Sequence, residues 1–212
     1  MATATKAVAE HRKELEAARR LAALQVDTLA HAVTSLDDQV GWTRLTELGT
    51  ASTVRAQEAA VTSTTNLLNR TLEAVDMVGD IAERLPGIQP GRLASGKDVA
   101  GMFAKTQNIV KARVAAGATF PEGLDASAHV LTSIASSEPH RIARDGQFNT
   151  GLSDERFNRY RRVAVGTTCA FCRMLATRGA VFLTAESAGR GRQYHYKCDC
   201  YVELVVDPAA IE

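Results

Sequence analysis

Apolar residues recur at steps of three and four along the first part of the chain, and this pattern constrains the fold more than any other feature of the sequence. Such spacing places the apolar side chains on one face of an α-helix. A first stripe spans residues 5–40 and a second spans residues 54–85, with a turn predicted around Trp42. The two stripes together predict a long helical hairpin over residues 1–85.

The composition also favours helices that pack closely together. Aromatic residues make up only 5% of the chain, whereas hydrophobic residues make up 45%, and alanine is abundant among them. Alanine has the highest helix propensity of all residues, and its small side chain suits thin helix–helix contacts. We therefore predict a mainly α protein with a small α+β module at its C-terminal end.

Glycine and proline residues mark a division of the chain at residues 86–97, which are predicted to form a linker or loop. A helical region follows over residues 98–152, with shorter helices near 98–115 and 123–135 and another from about 138. The remaining segment, residues 153–212, has a different pattern. It predicts a helix beginning near Cys172 and three short strands, at residues 160–165, 180–183 and 201–206.

All four cysteines lie in this last segment, as one Cys-x2-Cys pair and one Cys-x-Cys pair with a histidine three residues before it. Structural zinc takes four thiolate or imidazole ligands, commonly from such paired spacings. The sequence therefore predicts a zinc site with five candidate ligands, which are Cys169, Cys172, His195, Cys198 and Cys200. One of the last three would be an outer-shell partner or a free thiol.

Disulfides and a redox pair are the other roles open to these cysteines. The N-terminal segment has no apolar core of a signal peptide, so we expect a reducing compartment that disfavours disulfides. No strand–helix–strand pattern surrounds the Cys-x2-Cys pair, as a thioredoxin-like motif requires. No apolar run is long enough to span a bilayer, which predicts a soluble protein without a membrane partner. Four protein ligands leave zinc no open position for a reactive water, so we predict structural zinc.

Basic residues are concentrated around the cysteines, since residues 138–200 carry 11 basic and 6 acidic side chains. This cluster either contacts phosphates or an acidic partner surface, or balances the negative charge of a thiolate zinc centre. Its members are Arg156, Arg159, Arg161, Arg162, Arg173, Arg178, Arg190, Arg192 and Lys197.

The sequence shows no recognisable catalytic constellation. It lacks the His-Glu-x-x-His of metalloproteases, the His-x-Glu of zinc deaminases and the Gly-x-Ser-x-Gly of serine hydrolases. His11, His31, His129 and His140 are scattered, and each is interpreted as a surface or capping residue. We therefore assign no catalytic residue and favour a non-enzymatic protein, although triad members that converge only in space remain open.

A long stretch of the last segment resembles the C-terminal module of MuF-like minor capsid proteins of tailed bacteriophages. The shared motifs are Cys-x2-Cys, a downstream Arg-Gly-Ala-Val-aromatic and His-x2-Cys-x-Cys, carried by residues 160–182 and 194–200. The alanine-rich helical region before them is similar to the actinobacterial-phage branch of that family. Asp199 is a departure, because many relatives have a basic residue there, and it weakens any phosphate-binding role for this turn.

The resemblance implies a structural, low-copy protein of head morphogenesis. It implies the portal, the major capsid protein or both as partners, with packaged DNA as a further candidate. It also implies a place in the head interior or at the portal vertex after assembly in the host cytoplasm. It also maps the five candidate ligands onto the family's metal motif. Two alternatives stay open, namely a capsid maturation protease and a zinc-dependent nucleic-acid-binding module.

Overall fold

A computed structural model describes residues 2–82, 85–93, 95–164, 170–188 and 201–206 of the chain. Most of these residues are helical, which confirms the prediction of a mainly α protein. Within the described residues the helices are α1 (Ala2–His31), α2 (Gln39–Glu73), α3 (Val99–Ala104), α4 (Thr106–Ala115), α5 (Phe120–Ser153) and α6 (Ala170–Ala176). Strands β1 (Arg159–Val163) and β2 (Tyr201–Val205) form one antiparallel two-stranded sheet.

The chain divides into two compact units, and neither unit is a single stretch of sequence. Unit 1 comprises Met1–Glu14, Ala60–Ile88 and His140–Glu212, and unit 2 comprises Leu15–Ala59 and Gln89–Pro139. The division of the chain into four consecutive segments, with boundaries at 85, 97 and 152, stays a prediction.

Unit 1 is built around an apolar cluster that joins helices to the sheet. Leu68 and Leu72 of α2 and Phe148 of α5 pack with Tyr160 of β1 and Leu204 of β2. The rings of Phe148 and Tyr160 lie 5.8 Å apart, within the range of favourable aromatic contacts. In the same unit α1 and α2 run antiparallel, because Glu10 pairs with Arg70 whereas Glu14 pairs with Ser63.

Unit 2 has its own apolar cluster, drawn mostly from the helices. Val26 of α1 and Leu45 of α2 are buried in it with Phe103 of α3, Val110 of α4 and Leu131 of α5. All five side chains are at most 2% exposed. Burial of this kind is the main stabilising contribution to a small helical unit.

The first helix ends earlier than the apolar stripe predicted, and Trp42 lies in a helix and not in a turn. Asp38 caps the start of α2, since its Oδ1 accepts the backbone N–H of Gly41 at 2.8 Å and its Oδ2 accepts that of Thr34 at 3.0 Å. These two hydrogen bonds hold the pKa of Asp38 below its usual value. Val33 lies after α1, in the turn before Asp38, and it still packs into the apolar cluster of unit 2. The apolar stripe in the sequence therefore extends beyond the end of α1.

The second helix also ends before the predicted residue 85. The N–H of Met77 bonds to the carbonyl of Leu72 at 3.1 Å and the N–H of Asp76 to that of Glu73 at 3.2 Å. This pair of bonds is a Schellman motif, and it places Asp76 in the left-handed region at φ 60°. Two later residues of the stripe, Val75 and Leu85, pack into unit 1 from non-helical chain.

Further along the chain, one predicted helix is two helices in the structure, and two predicted helices are one. The helix expected near 98–115 is two helices, α3 and α4, whereas those expected near 123–135 and from 138 form the single helix α5, which contains Pro139. The helix expected near Cys172 is α6. Of the three predicted strands, the central one is reduced to a single bridge, in which Phe182 exchanges backbone hydrogen bonds with Tyr160.

Candidate functional site

The two-stranded sheet of unit 1 carries several of the residues predicted to have a function. Arg161 stands opposite Glu203 in the antiparallel register, and Arg162 stands opposite Val202. Because successive side chains of a strand alternate between faces, Arg161 and Arg162 lie on opposite sides of the sheet. Val202 belongs to the apolar cluster of unit 1, so the face with Arg162 is the core face.

Arg162 is a buried arginine that reaches from the core face of the sheet to α6. The residue is only 1% exposed, and its Nε donates to the carbonyl oxygen of Ala188 at 2.8 Å. Nη1 lies 3.7 Å from Sγ of Cys172, which is itself buried on α6. A neighbouring guanidinium favours the thiolate form of a cysteine, and the thiolate is the form that binds a metal. The surroundings of Cys172 therefore suit a metal thiolate.

Glu203 occupies the opposite face of the sheet, where two arginines cover its carboxylate. The residue is 2% exposed. Nε of Arg161, directly across the strands, donates to Oε2 at 2.9 Å, and Nη2 of Arg12 from α1 lies 3.8 Å from Oε1. A buried carboxylate is tolerated because such partners offset the loss of hydration. The sheet therefore has a guanidinium on each face, one toward a sulfur and one toward a carboxylate.

A cleft of about 590 Å³ opens where α1, β1 and the end of α6 meet. Four arginines line it, and none of the described residues lining it is acidic. The arginines come from three elements, with Arg12 on α1, Arg161 and Arg162 on β1 and Arg173 on α6. Sequence reasoning had found the last three but not Arg12, because only the packing of α1 on the sheet brings it there.

Most of the candidate zinc ligands lie outside the described residues. Cys172 is described, whereas Cys169, His195, Cys198 and Cys200 are not. Among the residues that the structure describes, no group of three or more histidine, cysteine, aspartate or glutamate side chains is placed to hold a metal ion. The zinc site therefore stays a prediction, and the pairing of Cys172 with Arg162 is the one feature that bears on it here.

The other described members of the predicted basic cluster lie in different surroundings. Arg156 forms ion pairs with Asp154 at 2.6 Å and Asp80 at 2.8 Å, and these contacts raise its pKa while lowering that of Asp154. Arg178 is exposed and donates to Sδ of Met174 at 3.6 Å. Arg159 is half-buried on β1. Three further members, Arg190, Arg192 and Lys197, lie outside the described residues.

A buried polar network joins α1 to α2, and it corrects the interpretation of His11 as a surface residue. Nδ1 of His11 lies 2.8 Å from Oγ of Ser63, which donates to Oε2 of Glu14 at 2.5 Å. Because the single hydroxyl proton of Ser63 goes to Glu14, Nδ1 of His11 is the donor to Ser63. A serine protease needs the opposite direction, with histidine accepting the proton of serine. Both His11 and Ser63 are under 5% exposed, so this arrangement stabilises the helix pair.

The stability of unit 1 is expected to fall as the pH decreases from about 6.5 to about 4. Burial, with smaller contributions from His140 and Arg12, lowers the pKa of His11 from 6.5 to about 4. Between these values the unfolded chain binds a proton that the folded chain does not, which favours unfolding by on the order of 3 kcal/mol at the acid end. Denaturant titrations across this range test the prediction.

The matched variant for this test is His11→Asn, whose side-chain N–H can replace Nδ1–H toward Ser63. It removes the titrating group, so its unfolding free energy should depend less steeply on pH between about 4 and 6.5 than that of the wild type. Parallel pH profiles for the two proteins would contradict the assignment of this dependence to His11.

Fold and site together define a mainly helical protein whose small sheet carries a buried cysteine–arginine contact on one face and an arginine-lined cleft on the other. The model of the VG15 protein family matches residues 2–212, and the chain belongs to this family. VG15 is a phage virion-gene family, which indicates a phage virion-associated protein. No curated protein and no solved structure matches the chain. In the described part of the chain, no helix is both long and apolar enough to cross a membrane.

Proposed function

We propose that this protein is a structural minor capsid component of phage head morphogenesis, of the MuF-like type. It is present in low copy and binds the portal, the major capsid protein or both, in the head interior or at the portal vertex. The observation that carries the proposal is the match of a phage virion-gene family to nearly the whole chain, residues 2–212. The long helices suit such a role, because they offer extended surfaces for contact with a larger assembly.

The zinc site belongs to the same proposal. Four of the five candidate ligands, Cys169, Cys172, His195, Cys198 and Cys200, hold one zinc ion that stabilises the end of the chain. The contact of buried Arg162 with Cys172 supports this, since a thiolate zinc centre is negative and a buried guanidinium beside it supplies compensating charge. Bound in this way, zinc has a structural role and no open coordination position.

A capsid maturation protease is the weaker candidate, because no observation on the described residues favours it. The serine and histidine that do meet, Ser63 and His11, are buried and are hydrogen-bonded in the wrong direction for nucleophilic catalysis. Incubation of the protein with the capsid protein of the same virus should therefore leave the capsid protein uncut.

Co-purification tests the structural role directly. A tagged chain is co-expressed with the portal protein and the major capsid protein of the same virus, and we expect it to retain at least one of them. The matched control replaces these two proteins by the portal and capsid proteins of an unrelated phage, which should not be retained. Mass spectrometry of purified virions should also detect peptides of this chain. Absence from virions together with failure to retain either partner would overturn the proposal.

A further inference from the structure

A second cleft in unit 1, named here the acidic cleft, lies between the chain that follows α2 and the C-terminal end of α5. It measures about 460 Å³. Its charged lining consists of three acidic residues, Asp80, Asp154 and Glu155, and one basic residue, Arg156. Among the described residues that line the cleft, two negative charges therefore have no positive counterpart.

The contacts of Arg156 hold two of these carboxylates in place and leave acceptor atoms over. Nη2 of Arg156 lies 2.6 Å from Oδ2 of Asp154 and 2.8 Å from Oδ1 of Asp80, while Nη1 donates to the carbonyl oxygen of Val78 at 3.0 Å. The arginine lowers the pKa of Asp154, so this carboxylate is ionised at neutral pH. No described residue donates to Oδ2 of Asp80 or pairs with the exposed side chain of Glu155.

A buried hydroxyl group in the same cleft lacks a hydrogen-bond partner. Thr150 lines the cleft and is 2% exposed, yet no described residue bonds to its Oγ1. Buried polar side-chain atoms nearly always have a partner, because an atom left without a hydrogen bond costs free energy. A ligand that donates a hydrogen bond to Oγ1 removes this cost. The acidic cleft thus combines unbalanced carboxylates with an unsatisfied hydroxyl oxygen, and both features favour a cationic donor.

The ammonium group of a lysine suits these acceptors better than a guanidinium does. It has three N–H donors that point in different directions, and the open acceptors belong to three separate residues, Asp80, Glu155 and Thr150. Arginine instead presents a flat fork that matches the two oxygens of one carboxylate. Arg156 already binds Asp154 in this way, through Nε and Nη2.

The apolar part of the lining suits the methylene groups of a lysine. Ile81, Ala82 and Pro86 line the cleft together with the charged residues. Lysine commonly packs its methylene groups along apolar surface while its ammonium group keeps polar partners. Ala82 and Pro86 are exposed, so a side chain from outside the molecule can reach the cleft. A bare metal ion fits less well, since no group of three or more metal-ligating side chains is placed to hold one among the described residues.

We propose that the acidic cleft binds a lysine side chain presented by a partner protein. The ammonium group donates to Asp80, Glu155 and Thr150, and the methylene groups pack on Ile81 and Pro86. The proposal deepens the structural role in the virion, and it rests on that role for the identity of the partner, which is the portal or the major capsid protein. The binding of lysine by the cleft is measured separately from the identity of the partner.

Titration of the isotope-labelled, full-length protein with a hexalysine peptide tests the cleft directly. We expect saturable NMR shifts of the backbone amides of Ala82, Ser153 and Glu155, and binding that weakens as the salt concentration rises. The matched probe is hexalysine with every side-chain ammonium group acetylated, which keeps the methylene groups but loses the charge. It should bind at least about tenfold more weakly. No shift of these amides, or equal binding of the two peptides, would overturn the proposal.

Thr150→Val is the most informative variant, because it removes the hydroxyl group and nearly keeps the shape of the side chain. Hexalysine should bind it about fivefold more weakly. Its stability should not fall, since the hydroxyl has no partner among the described residues of the free protein. Glu155→Gln should weaken binding about threefold. The matched control is Glu58→Gln, an exposed position on α2 that does not line the cleft, and it should bind as the wild type does. Wild-type affinity in both Thr150→Val and Glu155→Gln would contradict the proposal.

Co-purification connects the cleft to the virion partner. A chain with both Thr150→Val and Glu155→Gln should retain less portal or capsid protein than the wild type, whereas Glu58→Gln should retain as much. If the wild type retains neither protein, the structural role fails, and the hexalysine titration still decides whether the cleft binds lysine. Full retention by the double variant would overturn the assignment of the cleft to this partner.

Discussion

Replacing Cys172 by serine is expected to release the zinc ion that we propose for the C-terminal segment. Reduced wild-type protein should contain about one zinc per chain, and the variant only a small fraction of that, since a serine hydroxyl is not ionised at neutral pH. The metal contributes on the order of 10 kcal/mol to the folding of small zinc modules, so the variant should also lose the sheet structure. Elemental analysis measures the zinc, and protection of β1 and β2 amides in hydrogen exchange measures the sheet.

Loss of zinc should leave the other unit of the protein folded. The buried residues of the apolar cluster of unit 2 are drawn from residues 22–56 and 99–135, a set that includes none of the five candidate ligands. Most of the helical circular-dichroism signal should therefore remain in Cys172→Ser and in wild-type protein treated with a chelator. Ala170→Ser, at an exposed position of the same short helix, is the matched control and should keep its zinc. Freshly purified, reduced wild-type protein without zinc would refute the metal site.

Replacing Arg162 by alanine is expected to destabilise unit 1 by about 3–5 kcal/mol, the range found when large buried side chains or one member of a buried polar pair are removed. The change empties a fully buried volume and leaves the carbonyl of Ala188 without its 2.8 Å donor. It also removes the cation beside Cys172, so the variant should lose zinc at lower chelator concentrations than the wild type. Denaturant unfolding and a chelator titration measure the two effects.

The neighbouring residue offers a sharp comparison, because Arg161→Ala removes the same side chain from the opposite face of the same strand. Arg161 is 44% exposed, so its removal empties no buried volume, although it takes a charged donor from the buried Glu203, which keeps its contact with Arg12. The loss should be about 1–3 kcal/mol, smaller than for Arg162→Ala. Its sensitivity to chelator should match that of the wild type. Equal destabilisation by the two substitutions would show that the burial of Arg162 contributes no more than the half-exposed pairing of Arg161 with Glu203.

The sequence predicted the existence of the helices better than their ends, and there is a common physical reason. Val33 after α1 and Leu85 after α2 pack into apolar clusters although the chain is no longer helical there. An apolar stripe indicates which residues are buried, but it does not indicate the backbone conformation of those residues. The end of α2 was further obscured because Asp76, not glycine, takes the left-handed position of the Schellman motif.

The candidate site was predictable only where its residues are close in sequence. The helix near Cys172 and the two outer strands follow from local pattern, and a lone glutamate within the apolar run of β2 was a signal that Glu203 has a specific partner. One partner of Glu203 is Arg12, which lies far away in sequence and comes close only through the packing of α1 on the sheet. Which of Arg161 and Arg162 is buried likewise depends on which face of the sheet meets the core, and adjacent arginines look alike in sequence.

The pairing of Arg12 with Glu203 has a consequence for how the protein is made. Arg12 leaves the ribosome early and Glu203 late, so this contact forms only after the chain between them has been synthesised. Until then, the α1 surface that will cover the sheet stays open to water and to chaperones. Contacts between such distant residues also slow folding, because a long loop must close before they form. A nascent chain stalled before β2 should therefore be more sensitive to protease around α1 than the finished protein.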